Sequence, residues 1–177
     1  MPSPLGHTAA GLALYDLCFT SNENGSLWRT LGCVLILANL PDIDVLLGLM
    51  VHGNGQVFHR GPTHSLLFAL GMALLACNAW RCWSKIPRLR FLLCFLLILS
   101  HVVADAILTA YPVSFWWPFE LHVSVGYSGW KEVATSVLFG AFRDLGIILT
   151  SAMLIFLNRV IRHRPISLIF SRLVRGR

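Results

Sequence analysis

The chain has 177 residues, 56% of them hydrophobic and only 12% charged, with a formal net charge of +6 and a mean hydropathy of +0.69. Ordinary soluble domains carry about 25% charged residues, so this composition excludes a water-soluble globular protein and defines an integral membrane protein of one domain's length. The basic excess is crowded into one short loop and the C-terminus, where it reads as a topology signal; nucleic acid is not an expected partner.

Taken in order, the first apolar segment is HTAAGLALYDLCF, residues 7–19. It is short for a spanning helix, which needs roughly 20 residues. No basic residue precedes it and Asp16 interrupts it, so a cleaved signal peptide is not expected. A polar loop at 21–26 leads to a second segment, 27–51, broken by Pro41-Asp42-Ile43-Asp44. The turn 52–64 ends in HRGPTHS, residues 59–65. Gly61-Pro62 is a turn signal and Pro favours the first helical position, so a helix is expected to start here, with His64 in its first turn, and to run to residue 80. A basic loop, 81–90, precedes the fourth segment, 91–110, which carries His101 and Asp105. After an aromatic loop with Trp116, Trp117 and Trp130, a fifth segment covers 133–161 and contains Arg143-Asp144. The tail 162–177 alternates arginines with apolar residues and is expected as an amphipathic element on the cytoplasmic leaflet. The five cysteines form no CxxC pair and fall mostly in apolar runs, reading as buried thiols. The expected fold is all-α: a polytopic membrane helix bundle of about four or five transmembrane segments over residues 1–161, followed by the tail.

The positive-inside rule places the loop 81–90 and the C-terminus in the cytoplasm. The connections 53–61 and 112–129 then face the other side, the periplasm in a bacterium. Helical rise puts Asp105 about 25 Å from Arg88, Asp42 about 20 Å from Arg29 and Asp144 about 22 Å from Arg159. His7, His59 and His64 fall at the outer ends of their segments. Residues far apart in sequence thus converge near the periplasmic face.

Their chemistry suits a divalent cation. Carboxylates at membrane depth are costly unless paired or coordinating, yet Asp42 and Asp44 stand in an apolar segment. Two residues apart, they share one site only if the helix is unwound, for which Pro41 gives a reason; otherwise Asp42 caps the next helix. His101 and Asp105, at i and i+4, share one helix face and present two ligands, or else Asp105 holds the imidazole in a buried hydrogen bond. Arg60 suits a phosphate or a headgroup-level anchor. Arg143-Asp144 reads as a self-contained ion pair, the tryptophans as an interfacial belt. His52, His122 and His163 carry no assignment.

Together GHTAAGLAL, PDID, HRGPTHS and HVVADAILTAYPVSFWWPF resemble the YdjM-like (LexA-regulated) bacterial inner-membrane family, classed as metal-dependent hydrolases. The resemblance covers residues 6–119. It implies functional positions at His7, Asp42, Asp44, His59, His64, His101 and Asp105, with Thr109, Trp117 and Pro118. Pro112 departs from the pattern, where a glycine usually follows the tyrosine. The order His, Asp, His, His-x-x-x-acid is also similar to that of zinc-dependent phospholipases C.

The leading expectation is a metal-dependent hydrolase of a phosphoester on a lipid or lipid-linked substrate. His7, Asp42, Asp44, His59, His64, His101 and Asp105 would hold one or two ions, zinc or manganese. Asp42, Asp44, His64 and Arg60 would act in catalysis. Arg60, Thr63 and Trp117 would contact substrate, and the amides of the helix starting at His64 would help hold its phosphate. The rival is a metal-ion or proton transporter using the same cluster; a third reading has metal bracing the bundle.

Overall fold

A computed structural model describes residues 3–18, 27–109, 111–119, 121–123 and 130–163, the last including 130–143 as backbone only. Among these residues the architecture is an all-α bundle of six helices: α1 (Pro4–Cys18), α2 (Leu27–Ala38), α3 (Ile43–His52), α4 (Leu66–Asn78), α5 (Phe91–Leu108) and α6 (Trp130–His163). Of the tail expected at 162–177, Arg162 and His163 belong to the end of α6, and residues 164–177 lie outside the described residues, as do the side chains of Arg143 and Trp130. In the described part, Asp144 accepts from the backbone amide of Ser3 at 2.8 Å.

These helices follow the apolar segments, with α2 and α3 the two halves of the second. Among the described residues α5 and α6 alone are long and apolar enough to cross a bilayer; the bent α2–α3 pair makes a third span if its halves are counted as one. The 18 residues of α5 rise about 27 Å, close to the hydrocarbon thickness. α1 and α4, of 15 and 13 residues, are shorter than a full span.

Local chemistry sets the boundaries. Asn39 and Pro41 end the α2 ladder, the chain takes a 3-10 turn at Leu40–Asp42, and α3 leaves at 59° to α2. α3 ends at Gly53, whose φ of 65° is the left-handed cap conformation that glycine adopts without a Cβ penalty. The helix expected to start at Pro62 starts instead at Leu66. Pro62–His64 is a separate 3-10 turn, and Ser65 is the N-cap, its hydroxyl accepting from Phe68 N at 3.1 Å. Ser65 wins because its side chain satisfies an orphan helical amide, which Gly61 cannot do.

α5 is the central post. α1 packs against α2, α5 and α6, and α4 packs along α5. Val34, Leu37, Ala69, Ala73, Leu93, Cys94, Leu97 and Ile98 form the buried core between them. α1 approaches α2 closely at Gly11, where a Cβ would lie 2.7 Å from that of Ala38. The other end of α1 is tied to α6 by Asp16, which accepts from Asn158 at 2.8 Å and pairs with Arg159 at 3.2 Å. This frame fixes the start of α1, the α2–α3 break, the 59–64 turn and the last turns of α5 side by side.

Candidate metal centre

His7 comes from the first turns of α1, Asp42 and Asp44 from the α2–α3 break, and His59, Arg60 and His64 from the following turn. His101 and Asp105 sit on one face of α5. The side chains of His7, His59, His64, His101, Asp44 and Asp105 are 0–3% exposed, and that of Asp42 is 20% exposed. All seven metal ligands expected from the sequence are therefore brought to one place.

Many of their polar atoms face one another unsatisfied. His7 Nε2, His64 Nε2, His101 Nε2, Asp42 Oδ1 and both Asp105 oxygens are buried without a hydrogen-bond partner. Yet they lie close together. His7 Nε2 is 3.5 Å and His64 Nε2 3.6 Å from Asp105 oxygens, and His101 Nε2 is 3.3 Å from Asp42 Oδ1. The rings of His7 and His101 stack at 3.7 Å, and that of His64 meets His101 edge-on at 5.3 Å. Ligand atoms of His7, His101 and Asp105, of Asp42, His64 and His101, and of Asp44, His59 and His64 fall into three overlapping groups, each within 4.8 Å. Buried polar atoms are rarely left unpaired, and six falling into two groups joined at His101 fit one or two bound cations. Charge agrees: three carboxylates against the single guanidinium of Arg60 leave two negative charges, the complement of a divalent ion.

The surrounding residues aim these ligands. His101 Nδ1 donates to the Ala38 carbonyl at 2.8 Å. A carbonyl only accepts, so the proton is on Nδ1 and the Nε2 lone pair faces the cluster. Asp44 does the same for two histidines: its oxygens accept from His59 Nδ1 and His64 Nδ1, each at 3.1 Å. It also accepts from Arg60 N at 3.1 Å and Thr63 Oγ1 at 2.6 Å. Burial holds the His64 imidazole below its usual pKa, against the opposing pull of Asp44, and so favours the neutral ligating form.

Arg60 is 8% exposed, and its Nε lies 3.5 Å from Asp105 Oδ2 without a hydrogen bond. Its guanidinium sits 5.2 Å from the centre of the Tyr111 ring. Its φ of 67° is a left-handed conformation, a strain that persists only where the surroundings fix it. Here Arg60 N is held by Asp44, and its carbonyl accepts from Ser114 N at 3.1 Å.

One sequence expectation changes. The amides after His64 do not offer a phosphate cradle: Leu66 N donates to Phe115 O at 2.9 Å and Phe68 N to Ser65. Thr63 donates its hydroxyl to Asp44 at 2.6 Å. Trp117 remains half exposed on the aromatic loop and makes none of the site contacts. Thr109 closes α5, donating to the Asp105 carbonyl at 2.7 Å. Sequence reading missed the Ala38 carbonyl and Tyr111. The former carried no signal; the latter could have been read from its place six residues past Asp105, just beyond the end of α5.

The fold and this cluster define an all-α membrane protein with a buried, polar His/Asp centre. The model of the YdjM inner membrane protein family matches residues 1–172, and the chain belongs to that family. It is 39% identical over 95 residues to the inner membrane protein YbcI of Escherichia coli (strain K12). That match covers 52% of this chain and 55% of YbcI, so the chain spans about half the length of that relative. No solved structure matches the chain.

Proposed function

We propose that the protein is a metal-dependent hydrolase of the bacterial inner membrane, acting on a phosphoester of a lipid or lipid-linked substrate. The observation that carries this reading is the convergence of six unpartnered buried ligand atoms from four chain segments. His7, His64, His101, Asp105 and Asp42 would hold one or two divalent ions, zinc or manganese by donor type. When bound, such an ion supplies Lewis acidity toward a phosphoryl oxygen and toward water. Asp44 accepts the Nδ1 protons of His59 and His64 and keeps the Nε2 of His64 aimed inward. Asp42, the most exposed of the three carboxylates at 20%, would take a proton from water with its second oxygen. Arg60 would hold the phosphate opposite the ligand set.

A transporter needs polar groups continuing across the bilayer. Below the cluster the core is formed by Val34, Leu37, Leu97, Ile98 and their apolar neighbours, with Tyr15 and Thr30 also buried on α1 and α2; Asp16, at the far end of α1, is spent on α6. So sparse a set of polar groups below the cluster favours hydrolysis over transport. By the positive-inside rule it would face the periplasm, with the C-terminus in the cytoplasm.

Elemental analysis of the purified protein beside the His101→Ala variant tests the centre, and phosphoester turnover with and without chelator tests the reaction. Bound zinc or manganese in the wild type, lost in the variant, is expected. Wild type that takes up neither metal on reloading would remove the basis of the proposal.

A further inference from the structure

A cleft of about 350 Å³ opens beside the metal centre and shares His59 and Arg60 with it as a wall. That volume suits a headgroup-sized ligand, near the lower bound for small-molecule sites. Its far wall is Ser114 and His122, with Ser114 Oγ 3.3 Å from His122 Nδ1. The pair is fixed from below: Val113 and Val123 form a two-bond antiparallel bridge at 2.9 and 3.0 Å, and Ser114 N is tied to the Arg60 carbonyl. Val57 and Phe58 form an apolar rim, each 41–50% exposed. Among the described residues no carboxylate lines the cleft, whereas a guanidinium and two imidazoles do.

His59 sets the chemistry further. Its side chain is 1% exposed, and its Nδ1 is held by Asp44, so the proton sits there. Its Nε2 is buried without a partner and, in the neutral ring, can only accept. A ligand that satisfies both Arg60 and His59 must pair negative charge with a proton it can share. A phosphate monoester or hydrogen phosphate does so, since its second ionisation lies near pH 6. A phosphodiester has no such proton.

We propose that this cleft binds the phosphate of a monoester, with Arg60 as counter-charge, His59 Nε2 sharing the phosphate proton, and Ser114 and His122 closing the opposite side. The apolar rim places the ester's alkyl portion toward the bilayer. This deepens the hydrolase reading, on which it rests for turnover of the bound group; the binding itself stands without a metal.

The full chain in phosphatidylcholine nanodiscs is stripped with chelator, freed of it by gel filtration, and titrated with inorganic phosphate and with dimethyl phosphate by calorimetry. Saturable binding of phosphate but not of dimethyl phosphate is expected. His122→Ala and Ser114→Ala should each weaken it by about tenfold, the effect of one hydrogen bond to a charged group. The same variants are compared in metal-loaded protein, so that any weakening of the fold by stripping does not mask their effect. Competition by phosphatidic acid in the nanodisc assigns the site to a lipid headgroup, and its absence assigns it to soluble phosphate. Equal binding of dimethyl phosphate, or phosphate binding indifferent to His122→Ala and Ser114→Ala in both forms, overturns the inference. Phosphate bound only after metal loading and indifferent to both variants would leave the metal centre standing and remove the cleft. Phosphate bound in a protein that never takes up metal would do the reverse.

Discussion

Replacing Asp44 by asparagine separates aiming from ligation. Asp44 Oδ2 faces three donors, the Arg60 amide, the Thr63 hydroxyl and His64 Nδ1, whereas Oδ1 faces His59 Nδ1. An asparagine will keep its oxygen toward the three donors and present its NH2 to His59. His59 must then accept at Nδ1 and carry its proton on Nε2. The bond to His64 loses its charge assistance, falling from about 1.5–3 to about 1 kcal/mol, and His59 loses its anionic partner altogether. The combined loss, about 1.5–3 kcal/mol, corresponds to a metal affinity lower by about 10–100-fold, the usual effect of removing an outer-shell partner. Asp105→Asn differs because both Asp105 oxygens lack hydrogen bonds and face His7, His64 and Arg60; that variant should lose metal outright. Competition titration against a zinc-sensitive chelator measures both, and nitrogen NMR of the imidazoles reads the His59 tautomer. If Asp44→Asn loses metal as completely as Asp105→Asn, Asp44 is itself a ligand and the aiming role is refuted.

Gly11→Ala puts a Cβ 2.7 Å from that of Ala38 and should lower stability by about 1–3 kcal/mol through overpacking. Thermal unfolding in detergent reads this, with weaker metal binding as a second sign because the Ala38 carbonyl orients His101. Arg60→Lys keeps the charge but loses the planar fork, so it should retain metal while phosphoester hydrolysis falls about tenfold or more; full activity on every phosphoester tried would remove Arg60 from the site. For topology, a variant cleared of native thiols is labelled from outside intact cells. Gln56→Cys should react and Lys85→Cys should not, and the opposite result would place the centre on the cytoplasmic side. Gln56 is preferred to Gly55, whose added Cβ would meet Val45 at 2.8 Å.

The sequence made the clustered residues legible because each member broke a rule of its surroundings: acids in an apolar run, imidazoles at segment ends, and His101 with Asp105 at one-turn spacing. Helical rise alone then brought them to one level. The division of labour was not legible. Asp42 and Asp44 read alike in PDID, and the backbone amide of Arg60, with Thr63 and two histidines, makes Asp44 an acceptor of four bonds. The start of α4 was misplaced because Gly61-Pro62 is the louder turn signal, while Ser65 supplies the hydrogen bond that caps the helix. His122 carried no signal at all, since its position depends on a bridge between Val113 and Val123.

The break between α2 and α3 explains why such a centre can exist in so apolar a chain. In a continuous helix, residues 42 and 44 would point about 200° apart, and only one could face α5. The 3-10 turn and the 59° bend turn both carboxylates to the same side, Asp42 toward His101 and Asp44 toward the 59–64 turn. The same break ends α2 at Ala38 and leaves its carbonyl free for His101. One interruption thus supplies a carboxylate for the proposed ligand set, a carboxylate that holds two imidazoles, and the acceptor that fixes a third. Pro41 is buried at the centre of this turn, where its missing amide proton prevents the helix from closing over the gap.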